Sequence, residues 1–257
     1  MTWRFEEDGP ASGEWNMRRD EQLAVDLLAG QGVPTLRVYR WNPRAVSLGW
    51  HQPATDIDAA AARHRNIDIV RRPTGGRAIL HGDELTYCVV CRAEGRSLSS
   101  VYGAVNAALL RAISHLGLRG SLEDSTPDLR RLYRDASSAV CFSSTARNEV
   151  KVGGRKLIGS AQRRYAGPEG DEIVLQHGSI LLGPGHEEIV ELLTGIPREY
   201  RPALRDQLLE TTTTISALTD GAVHAPAVAV AVRRGFEEVW NLTFEPADRR
   251  ATVEATA

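Results

Sequence analysis

Two segments of the chain gather residue types that can do chemistry. The first, VRRPTGGRAILHGDELTYCVV (70–90), sets Arg72, Gly75, Gly76, Arg77 and His81 between two apolar runs. Adjacent glycines let backbone come close to a ligand, and their N–H groups can cradle an anionic or carbonyl oxygen. Arg72 and Arg77 would add fork-shaped donors. The same spacing also describes a tight hairpin with solvated arginines, and it does not choose between the two. The second segment, SSAVCFSSTARNEVKVGGRKLIGSAQRR (137–164), places Cys141 among small and hydroxyl residues and Lys156 fifteen positions later. A thiolate is the nucleophilic form of cysteine, and a nearby ammonium lowers the thiol pKa from its usual value of about 8.5. Cysteine with lysine is therefore an acyl-transfer pair in outline. The residues alone also describe a small buried hydrophobe and a surface charge.

Other motifs fail on their chemistry. GRKLIGS (154–160) has the glycine spacing of a phosphate loop, but Ser160 stands where that loop needs the lysine that reaches the β- and γ-phosphates. Cys88 and Cys91 lie three apart in a strand-like run, so they point to opposite faces. With no second ligand pair nearby they read as core cysteines, not a zinc or redox site. The seven histidines form no HExxH-type pair, and no protein-held metal is expected.

The elements that must position these residues can be sketched from periodicity. A helix is expected from Asn16 as N-cap through Met17, Leu23, Ala24, Leu27 and Leu28. Strands are expected at 35–41, 45–50, 67–72, 78–80, 85–90 and 172–182. Helices are expected over 56–64, 99–115, 187–193, 213–219 and from Pro226 to about Leu242. Gly153-Gly154 between two alternating runs signals a two-residue hairpin turn. The polar stretch 121–138 reads as an irregular surface segment. Strands and helices mix without strict alternation, which gives an α+β fold: a mixed sheet flanked by helices. At this length 1–257 makes one large domain or two small ones, and the last 50 residues or so, about 205–257, have room for a small helical appendage.

Composition limits the function classes. There are 31 Lys+Arg against 33 Asp+Glu, a net charge of −2, with 42% hydrophobic and 25% charged residues. Without a basic excess, nucleic acid is not expected as the main partner. Three cysteines in 257 residues do not make a disulfide-rich secreted scaffold. No run approaches 18 consecutive apolar residues, and the N-terminus lacks a basic region followed by an apolar one. The expectation is a cytoplasmic globular protein with no membrane partner.

RRPTGGRAILH and GRKLIGSAQRR, with SLGWHQP (47–53) upstream, resemble the signature blocks of the biotin/lipoate protein ligase and lipoyl (octanoyl) transferase superfamily. The likeness runs loosely from Asn16 to about Leu242 and is dense in 46–90 and 139–182. It implies a biotin/lipoate-ligase-like catalytic domain holding a medium-chain acyl group. Lipoate–protein ligases typically carry a third glycine after the Gly-Gly pair and activate lipoate with ATP. Here Arg77 follows the pair, and TGGRAILHGDELTY is similar to the cysteine-dependent octanoyltransferase branch. That branch carries a cysteine in an Ala-Cys-Phe-like setting shortly before the lysine block, which Ala139-Val140-Cys141-Phe142 fits.

By resemblance, Cys141 is the nucleophile and Lys156 the residue that lowers its pKa. Arg72, Gly75, Gly76, Arg77, His81, Gly159, Ser160 and Ala161 become pocket residues. The implied reaction needs no cofactor. It moves octanoyl from acyl carrier protein to a lysine of a lipoyl-accepting protein such as glycine cleavage H protein. An ATP-dependent lipoate–protein ligase, an octanoyl amidotransferase between lipoyl domains and a non-catalytic carrier-binding module are the alternatives. Two departures stand out: Gly82 where the family often has aspartate, and SSTARNE (143–149) where it usually has Pro-Ser and an aromatic residue.

Overall fold

A computed structural model describes residues 2–123, 149–167 and 170–245. Cys141, and all of the expected irregular segment beyond position 123, lie outside these residues. The described chain runs β1 (Trp3–Ala11), α1 (Gly13–Leu28), β2 (Thr35–Trp41), β3 (Ala45–Leu48), α2 (Ala59–His64), β4 (Asp68–Arg71), β5 (Ile79–His81) and β6 (Glu84–Arg92). It continues with α3 (Leu98–His115), β7 (Gly120–Leu122), β8 (Val150–Val152), β9 (Arg155–Ala166) and β10 (Glu172–Leu181). A 3-10 turn at His186–Glu191 leads to α4 (Arg201–Thr211), α5 (Ile215–Leu218), α6 (Ala225–Trp240) and β11 (Phe244–Glu245).

Eight strands form a mixed sheet in the order β11-β1-β2-β6-β10-β9-β8-β7, and three form a small second sheet, β4-β3-β5. The large sheet has an apolar side chain set on both faces. On one face, Val89, Cys91, Leu157 and Val174 pack with Val101, Val105 and Leu109 of α3 and with Val228, Val232 and Phe236 of α6. Gly235 lets α6 lie directly on α3, because a Cβ there would meet the Ala108 carbonyl oxygen at 2.4 Å. On the other face, Cys88, Val90 and Leu175 pack with Met17, Leu23 and Leu27 of α1. Cys88 and Cys91 thus enter two separate cores, as their spacing on one strand requires. The small sheet has its own cluster, in which Val46, Leu80 and Ile79 meet Ile189, Val190, Leu204 and Leu208.

Several expected elements shift. The first helix is capped four residues earlier than expected: Ser12, not Asn16, is the N-cap, its Oγ accepting from the Trp15 N–H at 3.3 Å. Asn16 is instead fully buried, its Nδ2 donating to the carbonyls of Ala11 and Arg40. β1 was not expected, because WRFEEDGPA carries four charges among nine residues; it lies near the sheet edge, with a register break before Pro10. β7 occupies the start of the stretch read as irregular. The hairpin turn at Gly153-Gly154 is present, both residues at positive φ (58° and 76°). Of the two alternatives left open for 70–90, the tight hairpin fails: β4 pairs parallel with β3 and β5 antiparallel with it, so 72–78 crosses over β3.

Candidate active site

The crossover is built around Arg72. Its side chain is buried, and the solvated-arginine reading fails for it. Nη1 donates to the Ser47 carbonyl at 2.8 Å and to Ser47 Oγ at 3.1 Å, Nη2 to the carbonyls of Gly75 and Arg77 at 2.8 and 2.7 Å, and Nε to Gly75 O at 3.1 Å. A single guanidinium therefore templates the glycine turn from within. Gly76 takes φ +96°. A Cβ on Gly49 would sit 1.9 Å from the Gly76 carbonyl oxygen, so the turn lies directly on the end of β3.

Two histidine–carboxylate pairs converge beneath this turn. His81 Nδ1 lies 2.9 Å from Glu84 Oε1, its Nε2 lies 2.7 Å from Ser47 Oγ, and its ring stacks on Trp41 with centroids 3.9 Å apart. Glu84 Oε1 also accepts from Thr86 and Ser179. Burial alone would raise the Glu84 carboxyl, but His81 and these hydroxyls outweigh it and hold the group below the usual carboxylate range. His177 Nδ1 lies 2.9 Å from Asp20 Oδ2, and its Nε2 lies 2.7 Å from Thr74 Oγ1, in the glycine turn. Asp20 also accepts from Tyr39 OH at 2.8 Å and, through Oδ1, from Arg37 Nη1 at 2.7 Å. Burial pushes the His177 pKa down, against the opposing pull of the Asp20 carboxylate.

Gly159, Ser160 and Ala161 lie on β9, opposite Ser179, Gly178 and His177 of β10. Gly178 has no room for a side chain, since a Cβ would meet Gly159 O at 2.2 Å. Ser160 Oγ lies 2.6 Å from Tyr87 OH, and its carbonyl accepts from Tyr102 OH. Arg72, His81, Gly159, Ser160 and Ala161 come together around one slot with Met17, Trp41, Ile79 and His177. Gly75, Gly76 and Arg77 sit on the crossover that Arg72 holds. The slot's free volume is about 20 Å³, room for one water.

Lys156 is not among the residues lining that slot, but it shares a strand face with Ser160, four positions along β9. It is 1% exposed, which excludes the surface-charge reading, and its Nζ lies 2.9 Å from Glu149 Oε1, itself 3% exposed. The Lys156 carbonyl accepts from the Thr213 N–H.

Sequence reasoning missed Asp20, Arg37, Ser47, Thr74, Glu84 and His177. One signal was available: Asp20 falls on the apolar stripe Met17, Leu23, Ala24, Leu27, and a carboxylate there must be paired.

The lipoyl protein ligase A/B catalytic domain family matches the chain over residues 12–237. The chain belongs to that family. Within it, full-length relatives include the octanoyltransferase LipM of Kyrpidia tusciae, 35% identical with 100% of this chain and 94% of that one aligned. That of Symbiobacterium thermophilum is 37% identical over 95% of this chain and 88% of its own, and that of Bacillus subtilis 32% over 95% and 88%. Among solved structures, a lipoate-protein ligase A bound with ATP superposes with a TM-score of 0.75 at 23% identity, covering 96% of this chain and 89% of that one. A bi-partite lipoate protein ligase from Thermoplasma acidophilum gives 0.74 at 21%, covering 96% and 87%. These two share the mixed sheet flanked by helices. The lipoyl ligase/transferase family thus accounts for the expected fold class, and its octanoyltransferase members for the relatives in sequence.

Proposed function

We propose that this chain is an octanoyltransferase of protein lipoylation, moving an octanoyl group onto the lysine of a lipoyl-accepting protein. The full-length likeness to octanoyltransferases carries this reading. The buried Lys156 supports it, since a lysine cation is taken out of water only where a partner or a task offsets the cost. In the finer version, the donor is octanoyl-acyl carrier protein and the acceptor a protein such as glycine cleavage H protein. The Cys141 thiolate attacks the donor carbonyl; the new C–S bond forms as the bond to the carrier breaks, and the carrier leaves as its thiol with a proton from the medium. The acceptor ε-amine then attacks the acyl-enzyme. An amide forms, the Cys141 C–S bond breaks, and the amine proton passes to the departing sulfur, with Lys156 as its carrier.

Backbone N–H groups near Cys141 or in the Gly75-Gly76 turn stabilise the oxyanion in both steps. Arg72 holds that turn, and His81, Gly159, Ser160 and Ala161 line the slot beside it, whose free volume admits one water, so an acyl chain enters it only as its walls part; Arg77 sits on the crossover that Arg72 holds. No cofactor is needed, because the thioester is already activated. We read the described elements as one catalytic domain, α6 included, because Val228, Val232 and Phe236 share a core with the sheet.

Incubating the protein with octanoyl-loaded carrier, without ATP, should add one octanoyl mass, and peptide mapping should place it on Cys141. Label on Cys88 or Cys91, or none on folded protein, overturns the covalent mechanism. Octanoate with ATP and magnesium should leave an acceptor domain unmodified; robust modification would identify a ligase instead.

A further inference from the structure

Three side chains to which octanoyl transfer gives no chemical part stand in a row at the slot. Ser47 lies on β3, His81 ends β5 and Glu84 begins β6. Ala45 pairs with His81 across β3 and β5, so Ser47, two positions along, shares the face of His81. Ser47 Oγ lies 2.7 Å from His81 Nε2, and His81 Nδ1 lies 2.9 Å from Glu84 Oε1. A carboxylate only accepts, so Glu84 takes the Nδ1 hydrogen bond, and the neutral ring presents Nε2 as an acceptor. Arg72 Nη1 donates to Ser47 Oγ at 3.1 Å, which leaves the hydroxyl proton free to point at Nε2. The row is also braced from outside. Trp41 stacks on the His81 ring at 11° between planes, and its Nε1 donates to Thr86 Oγ1, which donates in turn to Glu84.

A hydroxyl on one histidine nitrogen and a carboxylate on the other is the arrangement that makes serine a nucleophile. Ser47 and His81 both line the slot. Thr74, His177 and Asp20 repeat the distances, 2.7 and 2.9 Å. Thr74, however, is not among the residues lining the slot, and Asp20 is also paired with Arg37. Only the first row can meet a ligand there.

We propose that Ser47, His81 and Glu84 form a nucleophile–base–carboxylate triad that hydrolyses activated medium-chain acyl thioesters and esters held in the slot. This rests on the proposed reading of the slot as the acyl site, and the chain enters by the same parting of its walls. Ser47 Oγ attacks the acyl carbonyl as its proton passes to His81 Nε2. The C–O bond forms, the bond to the carrier sulfur breaks, and His81 returns the proton to that sulfur. Arg72 Nη1, already aimed at Ser47 Oγ, stands beside the charge that develops there. Water then attacks the ester carbonyl and gives its proton to His81. The bond to Ser47 breaks, Ser47 takes that proton back, and octanoic acid leaves and ionises in the medium. The triad thus discharges an acyl donor that meets no acceptor lysine.

The test uses full-length Cys141→Ala, which lacks the proposed transfer nucleophile, with p-nitrophenyl octanoate and octanoyl-loaded carrier as substrates. More than one equivalent of p-nitrophenolate should be released per protein, and octanoate should appear from the carrier. Adding Ser47→Ala should cut both rates by about 10²-fold or more. Glu84→Gln should do the same, because an amide can donate to Nδ1 and so move the ring proton onto Nε2. If these variants do not fold, diethyl p-nitrophenyl phosphate decides on Cys141→Ala itself: one diethylphosphoryl group should add, mapped to Ser47. Hydrolysis no faster than the spontaneous rate, hydrolysis that survives Ser47→Ala, or a phosphoryl group on another residue overturns the triad. Bonds that merely hold the crossover would give no turnover. Wild type separates this from the parent reading. Octanoyl transfer by wild type without hydrolysis by Cys141→Ala removes the triad alone, and hydrolysis without transfer removes the transferase alone.

Discussion

Lys156→Ala is expected to lose octanoyl transfer by roughly 10³-fold or more while remaining folded, because two effects are removed together. Without the ammonium the Cys141 thiol should titrate higher; each unit corresponds to roughly 1.4 kcal/mol of lost thiolate stabilisation, or about tenfold less thiolate well below the pKa. Loss of a proton carrier for the attacking amine removes a further 10²- to 10⁴-fold in typical cases. Lys156→Arg separates the two, since guanidinium keeps its charge but does not give up a proton near neutral pH. It should restore alkylation and not turnover. Alkylation rate against pH, alongside the transfer rate, reads both; unchanged profiles in both variants would leave Lys156 with no part in the chemistry.

The largest stability effect is expected at Asp20. Asp20→Ala removes one partner from Arg37, Tyr39 and His177 at once, all inside the protein. Breaking a buried ion pair from one side costs about 3–5 kcal/mol, and denaturant unfolding should show a midpoint lowered accordingly. A cost below about 1 kcal/mol would mean that the network is solvated or rearranges freely. The same network sets an acid limb. Burial opposes the Asp20 charge, but His177, Arg37 and Tyr39 outweigh it and lower the carboxyl from 3.8; burial lowers His177 from 6.5. Both groups therefore bind fewer protons folded than unfolded. Stability from His177 is complete above about pH 6.5 and falls as pH drops below it; that from Asp20 begins to fall only below about pH 4. Asp20→Ala should flatten the second phase.

The runs at 35–41 and 172–182 were legible because central strands covered on both faces are rich in aliphatic, β-branched and aromatic residues, and α3 because its apolar stripe buries one side against the sheet. β1 was not, because its charges are met by partners elsewhere in the chain: Glu6 by Arg19, and Asp8 by Arg37. The start of α1 was misplaced because Asn16, a good cap in isolation, spends its side chain on backbone carbonyls and Arg37. For the site, Arg72, His81 and the 159–161 run were found through their motifs, and all of them line one slot. Their partners Ser47, Thr74, Glu84 and His177 were not found. Ser47 and Thr74 reach their histidines through the small sheet and the crossover, and His177 meets Asp20 across 157 residues, so nothing local marks those contacts; Glu84 lies only three residues from His81. On the residues alone Lys156 read better as a surface charge, because one strand position does not tell which face a sheet covers.

The burial of Cys88 and Cys91 gives the protein a built-in count of its own folded fraction. Burial pushes the Cys91 thiol up to about 12 and the Cys88 thiol well above its ordinary range. At pH 8 a thiol of pKa about 12 is thiolate in only about one part in 10⁴, and burial blocks reagent as well. A folded molecule therefore exposes at most one fast-reacting sulfur, whereas an unfolded one exposes three. The stoichiometry of a brief alkylation pulse then reports the unfolded fraction, and the rate of the slow second and third equivalents reports how often the core strand opens.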